Sequence, residues 1–342
     1  MLILSNCLTE AADEGCLKVA NSLIKRIKAA GKDVKVLSFE RKSDLSDVHL
    51  TLNKLLLNCS LIRELKKTRD MVLYIPFPAK ARSMVIRICV LSVFVRNRLR
   101  VLFAMTGGEY AVWTKILLRL TGVHIYALSE SAAQHYKSIV GESRVTYLRT
   151  GVDTKRFAPV TIEKRAELKK KYGLDPSKKV VLHVGHLKEG RNIAQLMKLD
   201  SGYQILLVVS TLTKAEQDSA LRKRLEACPN IQIIDSYLPD IQEIYQLSDV
   251  YFFPVTDPNN CIEVPLSVLE AVSCGKPAVT TDFGELKSFI GQEGFFFIDS
   301  FKTEELNSLI AQALGYECNS IREAVLPYDW NNAAEIIKKH DR

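Results

Sequence analysis

A chain of 342 residues with 47% hydrophobic and 25% charged residues is too long for one ordinary core and too apolar for disorder, so two folded domains are expected. The net charge of +8 is uneven: residues 1–157 hold 26 Lys/Arg against 13 Asp/Glu, and the remainder 21 against 26. A basic half implies an anionic partner (a membrane surface, a phosphorylated acceptor or nucleic acid) unless the charge is merely a scattered, solvated surface. Eight cysteines form no Cys-x-x-Cys pair and no zinc-finger spacing, and reduced thiols in a cytosolic protein are the economical reading.

The chain opens on a short apolar strand, Leu2-Ile3-Leu4, followed by acids, and not on a signal-peptide core. Residues 16–30 form an amphipathic helix closed by Gly31, 34–39 a strand and 50–67 a helix; 71–75, 100–105 and 123–128 are further strands with helices among them. The most membrane-like stretch, 84–105, is cut by Arg87, Arg96, Arg98 and Arg100, and its longest uncharged run falls far short of the roughly 20 residues needed to span. A core helix followed by a basic turn is the expectation there; a helix lying at a lipid interface is the alternative. Near 145–159 the pattern changes to a strand, a turn and a proline. A charged helix, 162–172, then leads into apolar strands at 180–184, 205–209, 231–234, 250–253 and 278–281. The fold class is therefore α/β, with two Rossmann-like doubly wound domains facing a central cleft. Residues 1–157 form the first, 158–325 the second, and 326–342 a helix that crosses back onto the first.

The most informative segment is DPNNCIEVPLSVLEAVSCGKPAVTTDFG, residues 257–284. Pro265 suits a first helical turn, Leu266, Leu269 and Val272 make an apolar stripe, and Gly275 suits a left-handed cap before the strand at Ala278. Such a helix start, preceded by Asp257, Asn259 and Asn260, offers free N–H groups and a positive dipole end to an anion. Glu270 stands one turn on, either as a site carboxylate or as an ordinary solvated residue. After the strand at 180–184 comes VGHLKEGRNI: Gly185 permits a sharp turn, and His186 and Arg191 flank the loop that feeds the next helix. An imidazole, a guanidinium and a helix start converging on one place describe a phosphate or diphosphate site, although His186 alone would pass for a loop histidine bonded to a carbonyl. Other signals lead nowhere. Cys274-Gly275-Lys276 lacks the glycine that a phosphate loop needs five residues before Gly275. The histidines show no metal spacing, Ser129-Glu130-Ser131 lacks the flanking glycines of a nucleophile elbow, and no nucleic-acid module is recognisable.

These residues resemble the retaining glycosyltransferases with the B-type double-Rossmann fold, family 4 in particular. VGHLKEGRNI is similar to that family's strand-tip motif, and EVPLSVLEAVSCGKPAVTTDFGELKSFI to its stretch of two spaced glutamates, Cys-Gly-x-Pro and a Thr-Asp-x-Gly turn. YLRTGVDTKRFAP resembles the interdomain segment, and SYLPDIQEIYQLSDVYFFP, which contains Leu238, the lining of the nucleotide-base pocket. The resemblance implies a nucleotide-sugar donor on the second domain. Gly185, Leu238, Leu266, Ser267 and Glu270 would hold it, Glu270 by accepting hydrogen bonds from ribose hydroxyls, while His186 and Arg191 stabilise the leaving diphosphate and Glu263 serves the transferred sugar. It also implies a sugar or lipid-linked acceptor on the first domain, where Gly15, Thr106 and Gly107 mark the loops facing the cleft, with no metal ion and no cofactor. A cytoplasmic enzyme, peripheral at an anionic membrane face and without nucleic-acid partners, follows. The chain departs from the pattern at four places. Ile262 stands where the first glutamate belongs, with Glu263 one position late; Pro265 replaces a glycine, His186 an arginine, and Thr106 a histidine common in relatives. Those departures support the alternative of a catalytically impaired nucleotide-sugar-binding protein, while an epimerase on the same fold lacks its acid–base residues.

Overall fold

The computed structural model describes residues 1–342 except 7, 10–13, 31–32, 41, 53–55, 57, 77–80, 105–109, 211–216, 258–259, 317–319 and 342. Two compact units result, one of Met1–Thr150, Ile262–Val264 and Trp330–Arg342, the other of Gly151–Cys261 and Pro265–Asp329.

The first unit is built on β1 (Leu2–Ser5), α1 (Gly15–Ala29), β2 (Lys35–Phe39), β3 (Val48–Leu50), α2 (Cys59–Lys67), β4 (Val72–Ile75), α3 (Ala81–Val95), β5 (Leu99–Phe103), α4 (Val112–Leu120), β6 (His124–Ala127), α5 (Glu130–Val140) and β7 (Val145–Tyr147). Its strands pair in parallel in the order β3-β2-β1-β4-β5-β6-β7. β1 and β4 are buried at every position, as expected for strands covered by helices on both faces.

Residues 50–67 are not the single helix their apolar spacing predicts. Val48, His49 and Leu50 pair with β2 at the sheet edge. The helix begins only at Cys59, because the Asn58 side chain accepts from the N–H groups of Ser60 (2.7 Å) and Leu61 (3.3 Å). Helix α3 is a core helix, with Met84, Val85, Ile88, Leu91 and Val95 buried, and a basic 3-10 turn, Arg96–Arg98, follows it. Several cations of this region serve the fold. Arg98 donates to the carbonyl of Thr68 at 2.6 Å, Arg100 to that of Asn97 at 2.6 Å, and Arg87 lies 3.8 Å from Glu40. The closing helix, Trp330–Lys339, packs against α1 with Trp330, Ala333, Ala334 and Ile337 buried, and Lys338 donates to the carbonyl of Ala30 at 3.0 Å.

The second unit comprises α6 (Ile162–Lys171), β8 (Val180–Gly185), β9 (Gln204–Val209), α7 (Ser219–Glu226), β10 (Ile231–Ile234), α8 (Gln242–Leu247), β11 (Val250–Phe253), α9 (Leu266–Ser273), β12 (Ala278–Thr280), β13 (Phe295–Phe297) and α10 (Thr303–Leu314). All neighbours are parallel, in the order β10-β9-β8-β11-β12-β13. The edge strand β13 is too short to show in the sequence pattern. Chain order reverses between β8 and β11, so the loops leaving their carboxyl ends diverge there and leave a crevice where ligands of such sheets sit. At the other end of these strands, Asp249 accepts from the Val180 N–H at 2.8 Å and pairs with Arg165, Lys169 and Lys179. Burial works against its charge, but Arg165, the Val180 amide and Lys169 together hold its carboxyl below the usual value. The start of β8 is therefore pinned by a buried ion cluster, while its tip is left to the site.

Candidate functional site

The end of β8 with the loop after it, and helix α9, which the loop after β11 feeds, carry all but Leu238 of the residues that the sequence singles out in this unit. Gly185 ends β8, and a Cβ placed there would lie 2.8 Å from an Arg191 guanidinium nitrogen and 3.1 Å from Nε2 of His183. Its φ is not positive, so the reason for glycine differs from the sharp turn that the sequence suggests: the guanidinium packs directly on the backbone. The loop continues as two short 3-10 turns, Glu189–Arg191 and Ile193–Lys198, in place of the expected helix. Asn192 between them takes a left-handed conformation (φ 57°), and its side chain donates to the Pro254 carbonyl and the Thr256 hydroxyl, both at 3.0 Å.

Arg191 is 5% exposed. Its Nη1 donates to the Asn260 carbonyl at 2.7 Å, and its Nε has no hydrogen-bond partner among the described residues. The Asn260 side chain returns the contact, donating to the Gly190 carbonyl at 3.1 Å and to Asp257 at 2.7 Å. The two loops are thereby laced together around the guanidinium. His186 lies half-buried in the same loop as Arg191.

Helix α9 begins at Leu266, one residue later than the sequence reading, with Pro265 as the flanking cap residue (φ −66°, ψ 92°). Leu266, Leu269 and Val272 are buried as the stripe predicts, and Gly275 has the expected left-handed φ of 73°. The Tyr251 hydroxyl ties the strand tip to the helix start: it exchanges hydrogen bonds with Val184 N (3.3 Å) and O (3.2 Å) and bonds the Ser267 side chain. Glu270 is not a solvated residue. It is 2% exposed, and the buried Tyr245 hydroxyl bonds its carboxylate. Leu238 lies half-buried in the loop between β10 and α8.

Glu263 belongs to the first unit, where it accepts from Ser129 Oγ at 3.2 Å beside the amino end of α5. Gly15 opens α1 in the same unit, and Ile262 fills the space in front of it, 3.0 Å from where a Cβ would stand. Thr106 and Gly107 lie outside the described residues.

His183 escaped the sequence reading. It is fully buried on β8, shares a Nδ1 hydrogen bond of 2.8 Å with the Phe252 carbonyl, and has no partner for Nε2 among the described residues. Burial and the Arg191 charge push its pKa down to about 3, so the ring is neutral, Nδ1 is the donor and Nε2 is a bare acceptor. The one polar residue inside VVLHV was the available signal.

Two parallel sheets of this order define a B-type glycosyltransferase fold. The chain is similar in fold to a glycosyltransferase of Rickettsia africae ESF-5 (TM-score 0.78, 17% identity, covering 99% of this chain and 97% of that one). It is likewise similar to Anabaena HepE, solved in complex with UDP and glucose (TM-score 0.74, 12% identity, covering 99% and 98%). Residues 164–325 match the family model of glycosyl transferases group 1. A D-inositol 3-phosphate glycosyltransferase of Segniliparus rotundus is 26% identical over 183 residues, a stretch that covers 50% of this chain and 39% of the relative.

Proposed function

We propose that the protein is a retaining glycosyltransferase that moves a sugar from a nucleotide donor to an acceptor. In this reading the donor's C1–O bond to the diphosphate breaks, and the acceptor oxygen bonds to C1 on the same face. The acceptor's proton leaves with the diphosphate. Arg191 and His186 carry the charge that develops on the departing oxygen, with the N–H groups of Leu266 and Ser267 beside them and no metal ion. Glu270 receives ribose hydroxyls and Leu238 borders the base. The acceptor, lipid-linked or otherwise presented at a membrane, falls to the first unit, where Glu263 and Gly15 stand. UDP in the HepE structure supports a nucleotide-sugar donor.

The single observation that carries the proposal is Arg191: a buried guanidinium on a glycine floor at the sheet's reversal point, with an unpartnered Nε and no described carboxylate to balance it. A buried cation of this kind is costly unless an anion completes it, and a diphosphate matches its forked donors. The test is sugar release or transfer from a panel of nucleotide sugars. Turnover that Arg191→Ala lowers by about 100- to 1000-fold supports the assignment, the range expected for removing one preorganised donor to a leaving charge. Tight nucleotide binding without turnover by the wild-type protein favours the second reading, an impaired nucleotide-sugar-binding protein, for which Ile262, Thr106 and His186 speak.

A further inference from the structure

His183 and Gly185 alternate with Val184 on β8 and so share one face of the sheet. From the place where a Gly185 Cβ would stand, Nη2 of Arg191 is 2.8 Å away and Nε2 of His183 3.1 Å, so guanidinium and imidazole flank the same point over the strand. The ring is held from two sides. Its Nδ1 bonds the Phe252 carbonyl at 2.8 Å, and the Tyr251 ring stacks on it with centroids 6.3 Å apart and 16° between the planes. A carbonyl only accepts, so Nδ1 carries the proton and Nε2 presents its lone pair. Both residues are buried, and each has an orphan: a donor, Nε, on Arg191 and an acceptor, Nε2, on His183, neither with a partner among the described residues. Leaving a buried donor and a buried acceptor unused is costly for both.

We propose that His183 is a positioning residue for the diphosphate: its Nε2 accepts from the Arg191 guanidinium and holds it for the ligand without neutralising it. The type of residue decides this. A carboxylate in the same place would form a buried ion pair with Arg191 and leave it little attraction for an arriving anion. An apolar side chain would leave a guanidinium N–H buried and unbonded. A neutral imidazole does neither, since it satisfies one N–H and leaves the whole positive charge to the phosphates. Burial and the Arg191 charge, which push the His183 pKa down to about 3, keep the ring neutral at physiological pH. The role rests on Arg191 binding the donor's diphosphate as proposed, and the test keeps the two claims apart.

Gln and Glu share one shape, both reach the place of Nε2, and they differ in charge. UDP, GDP, ADP and CDP are titrated calorimetrically into wild-type protein, and the tightest is carried through the variants, with its nucleoside as control and circular dichroism as the check on folding. His183→Gln, whose amide oxygen accepts as Nε2 does, is expected to stay within about threefold of wild type. His183→Glu loses about 100-fold, as if the guanidinium charge were gone, and His183→Leu about tenfold, as one unpaired N–H requires. In the Arg191→Ala background His183→Leu costs no further affinity, because the residue acts only through the guanidinium. Equal diphosphate affinity of the Gln and Glu variants overturns the role, and so does a loss from His183→Leu that persists without Arg191. Should the Glu variant fail to fold, the cycle with leucine decides alone. A wild type that binds diphosphate no more tightly than nucleoside overturns the reading of Arg191 as the diphosphate ligand, and this role with it.

Discussion

Gly185 is where a single hydrogen atom matters most. A methyl group there meets the buried Arg191 guanidinium at 2.8 Å and the buried His183 ring at 3.1 Å, so the guanidinium has to shift from its place between the loops. Gly185→Ala is therefore expected to weaken nucleoside-diphosphate binding by about tenfold, the loss of roughly one charge-assisted hydrogen bond, with a lowered thermal midpoint. Calorimetric titration and a melting curve check this; unchanged affinity means that the guanidinium is not the phosphate ligand. The sequence singles out Gly185, His186, Arg191 and Glu270 because chemistry of their type is rare at a strand tip or on an apolar helix. The reason for glycine at 185 was not legible there, since it depends on a side chain six positions later folding back onto the strand. The Tyr245 hydroxyl that fixes the buried Glu270, and the Tyr251 hydroxyl between strand and helix, were hidden for the same reason: both look like core aromatics until the partners are in place.

Strand β8 carries a built-in acid sensitivity. The neutral His183 ring has a folded-state pKa of about 3 against an ordinary value near 6.5, so below pH 6.5 the unfolded chain takes up a proton that the folded chain refuses. Stability is thus fully present above about pH 6.5 and falls as the pH drops toward 3, by about 1.4 kcal/mol per pH unit from this one group. Urea unfolding of the wild type and His183→Gln between pH 7 and 4.5 is expected to show a slope smaller by about one proton in the variant; equal slopes contradict it. Element type was readable where short strands were mostly apolar: 231–234 and 250–253 coincide with β10 and β11. The edge strands β3 and β13, three residues each, were lost because pairing at a sheet margin needs too few residues to leave a period. The start of α2 was misjudged because a cap at Asn58, not apolar spacing, decides where that helix begins.

Across the whole molecule, the charge imbalance was visible at once, but what it serves was not. Arg98 and Arg100 satisfy backbone carbonyls and Arg87 faces Glu40, so the densest basic run is partly structural. The face that meets solvent with both apolar and basic groups lies on α4, beyond that run, and only burial reveals it. The doubly wound order of both sheets was foreseen from strand–helix alternation, and the second sheet's reversal point, between β8 and β11, is flanked by the two loops that Asn192, Asn260 and Arg191 lace together. That juxtaposition is what a diphosphate site requires. Its most direct test is calorimetric titration of a panel of nucleosides, nucleoside monophosphates and nucleoside diphosphates into wild-type protein and Arg191→Ala. The account predicts that at least one diphosphate binds the wild type one to one, more tightly than its monophosphate or nucleoside, and that the variant, folded by circular dichroism, loses about 100-fold in affinity. Equal binding of that diphosphate by both proteins, or no preference for diphosphate over nucleoside, would contradict it.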